Sequence, residues 1–96
     1  MKVYIVVEER YEEDPWYNIN HSSKLHEVYC MMESAIDDVR SKSEIEIQHL
    51  RERYKSSEWV LEEYGFESSV FNIDILDESS ETDISITYHV YEREIK

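Results

Sequence analysis

The sequence predicts an α+β fold: an antiparallel four-stranded sheet in the order β-β-α-α-β-β, with a helical layer packed on one face. Three observations predict it. Apolar residues alternate along both ends of the chain, they recur every three or four residues through its middle, and polar turn signals separate the two regimes. No linker or repeat interrupts the pattern, so residues 1–96 read as a single domain.

Residues 2–10 alternate, with Val3, Ile5 and Val7 on one face and Tyr4 and Val6 on the other, as in a central strand with one well-buried side. Residues 11–15 are acidic and carry the only proline, a turn leading to a second strand around residues 16–20. From Lys24 the period changes. Leu25, Val28, Met32, Ile36 and Val39 fall on one stripe of an amphipathic helix that Ser22 or Ser23 caps. Ser43 and Glu46 have capping-box spacing and open a second helix, one long bent helix being the alternative. Ile47, Leu50, Tyr54, Leu61 and Tyr64 carry the stripe to Gly65, the sole glycine, which reads as a left-handed C-cap with Phe66 folding back. Phe71, Ile73 and Ile75 then alternate with Asn72 and Asp74, and residues 77–81 form a polar turn. In the last strand Ile84, Ile86, Tyr88 and Val90 face the core, and Ser85, Thr87, His89 and Tyr91 face water.

A hydrophobic content of 41%, rich in tyrosine, argues for a folded chain in spite of its charge. The single cysteine rules out an internal disulfide and suits a reducing cytoplasm. The apolar run at the amino terminus is too short for a signal peptide or a membrane span. A net charge of −13 repels both anionic lipid and nucleic acid, so neither is expected as a direct partner. That charge is unevenly spread. Residues 1–39 hold nine acids and three bases, residues 40–55 three acids and five bases, and residues 56–96 eleven acids and two bases. If the two ends pair in one sheet, they create a coherent negative field.

Catalytic signatures are sparse. One glycine cannot build a phosphate-cradling loop, and no serine sits in a nucleophile elbow. On a helix, His26, Cys30, Glu33 and Asp37 would share a face, which makes His26, Cys30 and Glu33 the candidate metal ligands; the alternative is that they flank a buried stripe. Adjacent acids such as Glu62-Glu63 read as solvated surface. The chain is therefore expected to need no cofactor and not to be an enzyme.

The charge itself is attractive to basic surfaces, because Lys and Arg side chains that hold phosphates also pair with carboxylates. Exposed aromatics among the acids supply anchoring contacts. Two segments combine these features: Glu8, Glu9, Tyr11, Glu12, Glu13, Asp14 and Trp16, with Tyr17 beside them, and the acidic segment Asp77, Glu78, Glu81 and Asp83. Tyr64 beside Glu62, Glu63 and Glu67 forms a further cluster.

The short length, the acidity, the opening Met1-Lys2-Val3-Tyr4-Ile5-Val6-Val7 and the ending Tyr88-His89-Val90-Tyr91-Glu92 resemble small accessory proteins of bacteriophages and other mobile elements. The resemblance implies an anti-defence role of the anti-CRISPR or anti-restriction type, in some cases by imitation of DNA. The expected function is thus that of an acidic inhibitor, acting in the host cytoplasm, that blocks the nucleic-acid-binding surface of a host defence protein such as a CRISPR effector or restriction enzyme. The alternatives are an immunity protein or antitoxin of a nuclease, a homodimer formed through residues 43–64, and a small metal-dependent enzyme.

Overall fold

The computed structural model describes residues 1–65, 70–79 and 82–96. Strands β1 (Lys2–Glu13) and β2 (Ile19–Tyr29) form an opening hairpin, helix α1 (Met32–Arg53) follows, and strands β3 (Trp59–Gly65), β4 (Phe71–Asp77) and β5 (Asp83–Glu94) complete one antiparallel sheet in the order β2-β1-β5-β4-β3. Five strands and one helix therefore replace the expected four strands and two helices. The two ends of the chain pair along their whole length, from Lys2 opposite Glu94 to Glu13 opposite Asp83. At about 3.3 Å of rise per residue these twelve-residue strands span about 40 Å, most of the 47 Å long axis of the molecule.

The helix crosses one face of the sheet. Ala35, Val39, Ile47 and Leu50 pack on Val6, Trp59, Ile73, Ile75, Ile86, Tyr88 and Val90, all buried. Each large apolar side chain so buried contributes on the order of 1.5–3 kcal/mol. In β4 and β5 the residues expected to face the core do so. In β1 the faces are reversed: Val6, and Tyr4 beside it, pack on the helix layer, whereas Ile5 and Val7 lie on the open face. Both faces of that strand begin apolar, so alternation alone does not choose between them.

The first part of the expected first helix, residues 24–29, is strand, and only the part from Met32 onward is helical. Leu25 and Val28 pair with Val7 and Ile5, and the register shifts between them, because β2 carries one residue more than β1 at His26-Glu27. This β-bulge puts residues three apart on the same face, a spacing that imitates the period of a helix. Ser22 and Ser23 accordingly lie in β2 and cap nothing; the helix begins after Met31, which makes no side-chain cap. Ser43 sits mid-helix, fully buried, its hydroxyl donating to the Val39 carbonyl at 2.7 Å.

The expected second helix stops at Tyr54, whose N–H donates to the Leu50 carbonyl. Residues 59–65 pair instead with β4, so that Leu61 packs toward the helix and Tyr64, with the opposite parity, is exposed. Gly65 ends this strand with an ordinary negative φ and is not a C-cap. Phe66, Glu67 and Glu81 lie outside the described residues. Among the described residues no helix is long and apolar enough to cross a membrane.

Candidate interaction surface at the first hairpin tip

The turn between β1 and β2 is built by Asp14. Its backbone N–H donates to the Asn18 carbonyl at 3.0 Å, and the Tyr17 N–H donates to the Asp14 carbonyl at 3.0 Å. One carboxylate oxygen accepts the N–H groups of Trp16 and Asn18, each at 2.9 Å, and the other accepts the Asn18 side-chain amide at 3.0 Å. The backbone and side-chain donors of Asn18, then the Trp16 N–H, hold the Asp14 carboxyl below its usual range. Tyr17 occupies the left-handed region at φ 64°, a conformation uncommon for an aromatic residue. The result is a braced loop that projects Trp16 and Tyr17 into solvent, 79% and 83% exposed.

Beneath the loop lies an open groove of about 750 Å³ lined by Glu12, Glu13, Asp14, Asn18, Ile19, Tyr54, Asp83 and Ile84. Two distant stretches supply its carboxylates, because the β1–β5 ladder places Glu13 directly opposite Asp83. Like charges directly opposed across a ladder destabilise it. Here Glu12 and Asp14 flank the pair, which concentrates the field at this end of the sheet.

The remaining sequence-predicted residues divide. Tyr11, two positions before Glu13, stays on the open face with its hydroxyl 3.5 Å from the Glu13 carboxylate; partial burial and that carboxylate raise the phenol above its usual range. Glu9 is half-exposed on the same face, 3.4 Å from the His89 ring. Glu78 is exposed, its N–H donating to the Glu58 carbonyl at 2.7 Å.

Asp77 is not available to a partner. Its carboxylate accepts the hydroxyls of Ser79 and Thr82 at 2.7 Å and their backbone N–H groups at 2.9 Å, closing the β4–β5 turn. Desolvation of the carboxyl works against its charge, but these donors outweigh it and hold the group well below the usual carboxylate range.

Glu8 is likewise withdrawn, into a half-buried cluster between sheet and helix that the sequence did not reveal. Its carboxylate lies 3.1 Å from the His26 Nε2 and 3.8 Å from the Arg10 Nε. The Arg10 guanidinium also donates to Glu12 at 3.3 Å and to Glu46 on the helix. Burial, then the neighbouring Glu8 and Glu46 carboxylates, push the Tyr88 phenol upward. These side chains tie the hairpin to the helix. Arg10 and Glu46 are 36 residues apart, and only the β1–helix packing joins them.

The proposed metal set of His26, Cys30 and Glu33 does not form. His26 is on β2, Cys30 is exposed in the turn after it, and Glu33 is in the first helical turn, so the helical face that would align them is absent. Among the described residues no group of three His, Cys, Asp or Glu side chains is placed to hold a metal ion.

No protein-family model, curated protein or solved structure matches the chain.

Proposed function

We propose that this protein is a binding inhibitor whose first hairpin tip occupies the basic, nucleic-acid-binding surface of another protein, such as a CRISPR effector or a restriction enzyme of a phage host. The observation that carries this reading is the pairing of Glu13 with Asp83 in the floor of an acidic groove, at a cost to the ladder, next to two braced solvent-facing aromatics. Carboxylates spaced along a groove pair with the same Lys and Arg side chains that grip phosphates. Trp16 and Tyr17 supply the large, rigid contact area typical of interface anchors.

The test uses the immobilised protein to capture partners from a host lysate, with DNA as competitor, followed by association kinetics on the captured protein. A basic nucleic-acid-binding protein released by DNA is the expected result. Glu13→Lys combined with Asp83→Lys is expected to slow association by about tenfold or more at low salt, since charge acts mainly on encounter. These positions are the right ones to reverse, because Asp14 holds the loop and its replacement would unfold the tip. Capture that is indifferent to DNA, to salt and to the double reversal would overturn the proposal.

A further inference from the structure

Among the described residues, six of the ten exposed large apolar side chains lie along one strand and its flanks. Trp16, Tyr17, Ile19, Leu25, Val28 and Met31 are all more than half exposed, and all belong to β2 or its flanks. The same stretch is the least acidic in the chain: no carboxylate occurs between Asp14 and Glu27, in a protein of net charge −13. β2 is also an edge strand, so one side of its backbone presents unpaired N–H and C=O groups. The opposite edge, β3, differs, since it carries Glu62 and Glu63 with Glu58 just before it.

We infer that β2 is a self-association edge, pairing antiparallel with β2 of a second copy of this chain about a two-fold axis at Ser22. The occupant is a second copy because this edge holds no carboxylate between Asp14 and Glu27, so two such acidic molecules meeting along it oppose none. The register follows from the strand. The bulge at His26-Glu27 bounds the regular segment at Leu25, and the turn bounds it at Ile19. A two-fold at the middle of that segment sets Ile19 opposite Leu25 of the other copy, Asn20 opposite Lys24 and His21 opposite Ser23. Ile19 and Leu25 both lie on the open face, through their partners Glu13 and Val7, and are 62% and 61% exposed. Pairing in this register covers both of them twice over, and Lys24, which would otherwise guard the edge, meets a neutral amide. Because the axis is perpendicular to the sheet, the product is one continuous ten-stranded sheet with both helices on the same side.

The test combines solution mass with site-directed cross-linking. Light scattering from micromolar to sub-millimolar concentration is expected to show twice the chain mass. In a Cys30→Ser background, Ser22→Cys is expected to form an intermolecular disulfide under mild oxidation, because opposed Cα atoms in an antiparallel pair lie about 4.5–5.5 Å apart, within the reach of a disulfide. Glu44→Cys, exposed on the helix, is the control expected to give none. Leu25→Glu is expected to weaken the dimer by about tenfold or more while leaving the circular dichroism spectrum unchanged. A chain mass at every concentration, a dimer that leaves the residue 22 thiols unlinked, or a folded Leu25→Glu variant that remains dimeric would each overturn the inference.

Discussion

Two arginines with similar-looking partners are expected to behave differently. Arg10 is half-buried among Glu8, Glu12 and Glu46, whereas Arg40 meets Glu63 in the open, with both side chains nearly half exposed. Removing Arg10 takes the shared cation from the withdrawn Glu8 and Glu46 carboxylates and from the more exposed Glu12. Arg10→Ala is therefore expected to cost about 2 kcal/mol, and Arg40→Ala clearly less; urea denaturation of both variants measures the contrast. Asp77 makes the pH-dependent prediction. Its folded-state value is depressed, so its contribution is present above the unfolded value near 3.8 and is lost as pH falls through the folded value. Asp77→Asn is expected to cost about 1–2 kcal/mol at neutral pH, with the difference from wild type shrinking below about pH 4. A difference that stays constant down to strong acid would mean that the carboxylate charge plays no part in the turn.

At the scale of elements, the helix is the clearest case. Its buried stripe runs Ala35, Val39, Ser43, Ile47 and Leu50, and Ile45 on the far side is half exposed. Leu50→Ala is expected to cost about 2–5 kcal/mol through lost burial and a residual cavity, and Ile45→Ala less than about 0.5 kcal/mol. Similar losses at the two positions would refute this placement of the helix. β2 shows how a local pattern misleads. Leu25 and Val28 have helical spacing because a bulge, not a helical turn, separates them, and the hydrogen bonds that reveal it belong to β1. Leu61 and Tyr64 have the same spacing without a bulge, and they point to opposite faces.

Across the whole molecule, charge has two opposed effects. Three bases of the stretch 40–55 are engaged away from the hairpin tip, since Arg40 pairs with Glu63, Lys42 with Asp38, and Arg51 donates to the Trp59 carbonyl, while Arg53 stacks on Tyr54 at the groove. Among the described residues Glu13, Asp14 and Asp83 at the tip have no ion-pair partner, and they repel one another within the fold. Added salt is therefore expected to raise Tm, by about 4–8 °C for each kcal/mol of repulsion relieved, while slowing association with a basic target. A thermal scan across a salt series checks the first effect; a Tm that falls with salt would mean that the Arg10 cluster outweighs the repulsion. What the sequence by itself determined was the set of properties that depend on composition or on period within one element: a mixed α and β chain, the core faces of β4 and β5, and the apolar helix positions Val39, Ile47 and Leu50, whereas the first turn, expected at residues 11–15, falls at residues 14–18. What only the tertiary structure decided was whatever depends on a partner strand: that residues 24–29 and 59–65 extend, that Val6 and not Ile5 faces the helix, that Asp83 joins Glu13 while Glu8 and Asp77 are drawn away, and that β2 is left on the edge. The reason is physical, because a strand's hydrogen bonds and buried face are supplied by neighbours distant in sequence, whereas a helix closes its own.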